Sequence, residues 1–235
     1  DLGQMFSDVN DQFLTNNLSL SSLGNSLQNI EVGDVVKREL VLNIFDQNIF
    51  EALEQQLELE GYVLNESLFY FPYDWRLDLG MTKELLKLKI EEVKAETGAE
   101  QVDIVAHSMG GLLTKKYISS YGGDSINKLI FVGTPHLGAP KAGKIILEGD
   151  RLGIPFLEED RIRDIAMNSP ALHQLLPNFT YFYEFQGYLQ RYSFSGGSLM
   201  NYTETTDFFV GEKSANPVMF GIAGDFNGEH LEDMN

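Results

Sequence analysis

The chain has 235 residues, 43% of them hydrophobic and 22% charged, a composition that excludes wholesale disorder and fits one large globular domain. Its 17 basic residues stand against 35 acidic ones, and a net charge of −18 repels phosphate, so no nucleic acid partner is expected. There is no cysteine, which excludes disulfides, thiolate nucleophiles and Cys-ligated metal sites, and no apolar run of about 18 residues marks a transmembrane segment.

Residues 1–34, rich in Asn, Ser, Gly and Leu, read as an irregular surface segment with a few buried leucines. The opening DLGQMFSDVN has no basic-then-apolar leader and no initiator Met, so a processed chain or an interior piece is expected. Ile49, Phe50, Leu53 and Leu57 recur at helical spacing and Gly61 supplies a stop, which predicts a helix over 47–60. The run LFYFP at 68–72 predicts a short buried strand ended by proline. A helix follows over 82–97, with Leu86, Ile90 and Val93 inward and Gly98 as its end. VDIVA at 102–106 is a strand, 112–121 a helix stopped by Gly122 and Gly123, and LIFVG at 129–133 a strand. Strand and helix alternating across 68–133 predict an α/β fold with a parallel sheet and right-handed crossovers. Residues 1–140 then form the core. Residues 141–215 hold short helical patterns and an aromatic-rich stretch, with no strand alternation that continues the sheet; they read as a cap inserted over the sheet edge. VMFGIA at 218–223 predicts a return to the sheet within 216–235.

The chemistry concentrates in AHSMG at 106–110, between a buried strand and a helix. This is the nucleophile-elbow pattern G-x-S-x-G with Ala first. The turn is tight enough to strain the serine backbone, and larger side chains at 106 or 110 are expected to collide. It would lift the Ser108 hydroxyl clear of the strand's carboxyl end. It would also place the Met109 N–H at a helix N-terminus, aimed at a developing oxyanion.

Two further segments, FPYDWRLD at 71–78 and FVGTPHLGAPKA at 131–142, stand around AHSMGGLL in an order and spacing that resembles the lecithin:cholesterol acyltransferase family. NSPALHQLLPN at 168–178 resembles that family's insertion, and the likeness covers about residues 45–180. The resemblance implies an α/β-hydrolase-type, mostly parallel sheet with flanking helices and a helical, aromatic cap. It implies Ser108 as the acyl-forming nucleophile, Met109 N–H as one oxyanion donor, and a lipid or other acyl ester as substrate. No cofactor or metal is implied; contact with lipid surfaces is. The loop carrying Tyr73, Asp74, Trp75 and Arg76 would sit at the rim of the site. A purely structural pairing of Asp74 with Arg76 is favoured there, while Trp75 could anchor the loop, bind substrate, or do both.

A serine nucleophile on this fold needs an acid and then a histidine further along the chain. His107 adjoins the elbow and should point away from Ser108; His136 follows the 129–133 strand before any acid could intervene, and His173 lies in a helix of the insertion. His230 with Asp225 is late enough, but five positions leave no room for the usual helix and strand between acid and base. The acid and base are therefore expected beyond Asn235, and this chain alone is expected to be inactive. Two functions follow: a serine-dependent lipid ester hydrolase or O-acyltransferase, or a non-catalytic lipid- or protein-binding relative that lost the triad.

Overall fold

The computed structural model describes residues 17–33, 38–41, 45–48, 50–151, 158–193 and 196–228. The chain enters through an antiparallel pair, β1 (Arg38–Val41) and β2 (Phe45–Asn48), followed by α1 (Glu51–Leu59). The helix expected from 47 starts later because 45–48 pair with 38–41. Gly61, at φ +95°, follows its end in the left-handed region that favours glycine.

The strand expected at 68–72 does not form. Leu68 makes a lone bridge to Leu64 and the remainder is irregular. Pro72 has no N–H for a ladder, and Phe71 and Tyr73 stack on each other at 5.8 Å while packing on the helical core. The run is apolar because it is packed, not because it is paired.

Helix α2 (Leu79–Thr97) begins at Leu79, earlier than periodicity alone predicts, because Asp78 caps it. The Asp78 carboxylate accepts from the Gly80 N–H at 2.7 Å and from the Gln174 side-chain amide at 2.6 Å. The Gln174 carbonyl in turn accepts from the Leu79 N–H at 2.9 Å. Gly98, at φ +71°, ends the helix.

β3 (Val102–His107) and β4 (Ile126–Val132) pair in parallel, joined by α3 (Met109–Tyr121). Leu112, Leu113 and Tyr117 of α3 pack with Leu86 and Ile90 of α2 over Val102 and Ile104. On the opposite side Val105, Ile130 and Val132 are exposed. The chain is thus of mixed helix and sheet with a small parallel sheet, which is compatible with the α/β class.

Beyond β4 come α4 (Pro140–Glu148), α5 (Glu159–Ala166), α6 (Pro170–Gln174) and α7 (Phe179–Phe185). Among the described residues, an antiparallel hairpin of β5 (Gln190–Ser193) and β6 (Gly196–Leu199) pairs only with itself. α8 (Tyr202–Asp207) runs into a π-helical turn, Phe208–Glu212, and α9 (Pro217–Gly228) follows. Where 218–223 was expected to rejoin the sheet, α9 is a helix. Pro217 opens it, the Asn216 side chain accepts from the Val218 N–H at 3.0 Å, and Met219, Ala223 and Phe226 form one buried face at helical spacing.

Two apolar clusters hold the molecule together. One joins α2, α3 and Phe226; the other joins Ala142 and Ile146 of α4 with Ala166, Leu176, Phe209 and Ala215. All five residues of α6 are buried between them, Ala171 in the first and Leu172 in the second.

Arg76 fixes α6 from the other side. It is 1% exposed. Its guanidinium pairs with both Asp74 oxygens, at 2.9 and 2.6 Å, and donates to the Leu18 carbonyl at 2.7 Å and the Ser26 hydroxyl at 3.2 Å. Its own carbonyl accepts from the Ser169 hydroxyl at 2.8 Å. Replacing Arg76 by Met should cost about 3–5 kcal/mol in urea unfolding, because Asp74 keeps a nearly buried charge without its partner. Arg76→Lys should recover little of it, since one ammonium cannot reproduce the fork.

Candidate active site around Ser108

Ser108 stands between β3 and α3 with φ 52° and ψ −126°, far from the usual regions for a residue with a side chain. Such a conformation costs on the order of 1–3 kcal/mol and persists only where its surroundings impose it. Here the Ser108 N–H donates to the Val132 carbonyl at 2.9 Å, extending the ladder with β4, while the Ser108 carbonyl accepts from the Gly111 N–H at 3.0 Å. Strand and helix thus grip the residue from both sides. Its side chain does not cap α3, and no acidic residue lies in the first turn. The Met109 N–H belongs to the first-turn amides that a helix leaves without an internal partner, at the positive end of the helix dipole.

The steric constraint falls one residue later than the sequence pattern suggests. A Cβ at Gly110 would meet only the Tyr73 hydroxyl, at 4.0 Å, an ordinary contact. A Cβ at Gly111 would lie 2.0 Å from Thr134 Oγ1 and 2.5 Å from its Cγ2. At 111, then, even a single side-chain carbon is excluded. Ala106 is buried, as a small residue beneath the turn should be.

Tyr73, which the sequence reading places at the rim without a role of its own, brings its hydroxyl to 4.0 Å from where a Cβ at Gly110 would stand. Burial pushes its hydroxyl up to about 12, so it is a neutral donor at physiological pH. Trp75 is 49% exposed, so it does not serve as a buried anchor of the loop. Asp74 and Arg76 are occupied with each other.

None of the described histidines makes a hydrogen bond to Ser108. His107 turns its edge to Phe50 at 5.8 Å and His136 sits on Phe131 at 4.8 Å, with burial and the nearby Lys115 pushing the His136 pKa down. His173 is buried in α6, Nδ1 against the Ser169 carbonyl at 2.9 Å and the ring against Phe220 at 5.2 Å. Burial lowers its pKa to about 4. Asp225 lies on the exposed side of α9, and His230 falls outside the described residues.

Beside α7 a cavity of about 20 Å³ has a mixed wall, lined by Leu176, Phe182, Tyr188, Tyr202 and Phe220 together with Thr205, Thr206 and Asn227. That volume admits one water molecule. Among the described residues no cluster of three or more potential metal ligands is present, and no helix is long and apolar enough to cross a membrane.

Gly111→Ala should destabilise the chain by about 1–3 kcal/mol, with a coupling of at least about 1 kcal/mol to Thr134→Gly in a double-mutant cycle. Thr134→Val should be at least as stable as the wild type, because Thr134 Oγ1 is buried without a hydrogen-bond partner among the described residues. His173 sets a pH dependence. Its folded pKa of about 4 lies below the unfolded value of 6.5, so the unfolded chain binds the proton first as pH falls. Stability should drop by about 3 kcal/mol between pH 6.5 and 4 and level off below. His173→Phe should remove that slope in melts across the same range.

The family model for lecithin:cholesterol acyltransferase matches residues 41–208. A phosphatidylcholine-sterol acyltransferase from Mus musculus is 31% identical over 154 residues, covering 60% of this chain and 35% of its own. The Homo sapiens protein of that name is 30% identical over 129 residues, 51% of this chain and 29% of its own. A lysosomal phospholipase A and acyltransferase from Canis lupus familiaris is 29% identical over 140 residues, 56% of this chain and 34% of its own. The matched stretch spans about a third of the length of these relatives. With more than half of its residues under the family model, the chain belongs to the lecithin:cholesterol acyltransferase family.

Proposed function

We propose that the protein is a serine-dependent lipid ester hydrolase or O-acyltransferase on an α/β-hydrolase-type fold, with Ser108 as nucleophile. The observation that carries this reading is the Ser108 backbone, held at φ 52° and ψ −126° between a parallel strand and a helix. Strain of this kind gathers at functional sites. The names of the relatives, phosphatidylcholine-sterol acyltransferase and lysosomal phospholipase A and acyltransferase, support an acyl ester of lipid as substrate.

In this reading Ser108 Oγ attacks the ester carbonyl, giving up its proton to a histidine base. The carbonyl oxygen becomes an oxyanion that accepts from the Met109 N–H, whose position at the helix N-terminus favours negative charge. The carbon–oxygen bond to the alcohol breaks, the alcohol leaves with the proton, and an acyl-Ser108 ester remains. Water or a second alcohol then takes the acyl group. Tyr73 beside Gly110 and the half-exposed Trp75 line the rim of this site, Trp75 as a substrate contact. Residues 141–215 act as a cap over this site.

A fluorophosphonate probe tests the assignment. The intact protein should be labelled at one site, and Ser108→Ala should reduce labelling at least about a hundredfold, the loss expected of a removed nucleophile. Intact, folded protein that resists the probe would favour the non-catalytic relative instead.

A further inference from the structure

The aromatic side chains of α7 differ in exposure, with Tyr181 half-buried between the extremes. Phe182 is buried and meets Tyr188 at 5.6 Å and Tyr202 at 5.4 Å, ring centre to ring centre, which anchors the helix. Asn178 caps it, accepting from the Tyr181 N–H at 3.0 Å. Phe179, Tyr183 and Phe185 are instead 62%, 79% and 55% exposed. Phe179 and Tyr183 stand one turn apart and so share a face, whereas Phe185, two positions past Tyr183, lies on the opposite side against Tyr181. The single charged residue of the helix is Glu184. Large rings gathered in the open mark an interaction surface.

We propose that this face of α7 docks the protein on a neutral, zwitterionic lipid surface of the phosphatidylcholine type. The proposal rests on the lipid-ester reading above and names where the protein meets the aggregate that contains such esters. Continuity with the cavity points to lipid. Phe179 meets Tyr202 edge-on at 6.1 Å, and Tyr202 lines the cavity together with Phe182 and Tyr188. Phe179 therefore joins the exposed face to the cavity wall, so a lipid surface beneath α7 would lie against the rim of that cavity. Charge selects the kind of lipid. A helix without a basic residue, on a chain of net charge −18, has nothing to offer an anionic headgroup. Phenyl and phenol rings enter the headgroup region of a neutral surface by burying apolar area, and the tyrosine hydroxyl remains at its wet edge.

Flotation of the intact protein with vesicles of dioleoylphosphatidylcholine tests this. The wild type should float with them, and Phe179→Ser/Tyr183→Ser should lower the partition coefficient by at least about tenfold at an unchanged thermal midpoint. If that variant fails to fold, Tyr183→Ser alone, at the most exposed of these positions, should still lower it measurably. Serine at Met81, Leu85 and Leu88, an exposed apolar stripe on α2, should leave flotation intact and so separate α7 from general stickiness. Ser108→Ala should float like the wild type, which reads docking independently of catalysis. A wild type that stays with the solvent, an α7 variant that floats equally well, or flotation only with cationic vesicles would overturn the proposal. So would self-association that the α7 substitutions abolish in a protein that ignores vesicles, since the face would then join copies of the chain.

Discussion

A guanidinium in a protein interior must have its charge and its donors answered at once, and in this chain that demand ties distant segments together. Arg76 finds its countercharge two residues back, in Asp74, and spends its other donors on Leu18 and Ser26. The same residue's carbonyl takes the Ser169 hydroxyl. Three stretches, around residues 18–26, 74–76 and 169, are thereby fixed to one point. A buried pair of this kind adds little net stability over well-packed hydrophobes, but breaking it is expensive. Its value here is geometric: the loop that sets Tyr73 beside the elbow and the helix α6 between the two apolar clusters are placed by the same contacts.

The elbow shows the same economy of means. Ser108 is held in an unfavourable conformation by two backbone hydrogen bonds, one to each neighbouring element. Those bonds suffice only if α3 can start immediately and the loop after β4 can close over it. Gly111 permits that closure, because Thr134 occupies the space where any side chain at 111 would go. Paired glycines at the start of a helix are costly in propensity, by about 1 kcal/mol each relative to alanine. The close approach of Thr134 explains why Gly111 is nevertheless present, and the strained serine beside it needs α3 to begin where it does.

Local signals in the sequence were legible and non-local ones were not. The elbow could be read because strand, small residues and helix follow one another within a few positions. α2 was placed correctly apart from its start, which depends on Asp78, a capping residue that Gln174 also binds from across the chain. Residues 68–72 and 218–223 were misread as strands for one reason: a short apolar run carries no period that distinguishes a strand from any other buried segment. In the second run the helical face is Met219, Ala223 and Phe226, and two of these lie at or beyond the end of the run. The hairpin at 190–199 was missed because QRYS and GGSL are polar and glycine-rich, with no apolar alternation to mark them. The role of Thr134 depends on a contact between loops and leaves no local trace.

Helix α6 links the elbow to the aromatic region in energetic terms. Its five buried residues contribute to both clusters, so neither cluster can loosen without exposing part of the other. His173 sits at this junction with its ring against Phe220, which packs on Phe209 at 5.5 Å and lines the cavity beside α7. On the other flank Gln174 holds the first amide of α2, the helix that packs with α3 behind the elbow. A shift of Phe220 would therefore be felt at His173 of α6. Densely packed interiors transmit such shifts rather than dissipate them. The elbow and the cavity are thus two ends of one packed unit, with the short buried helix as its centre.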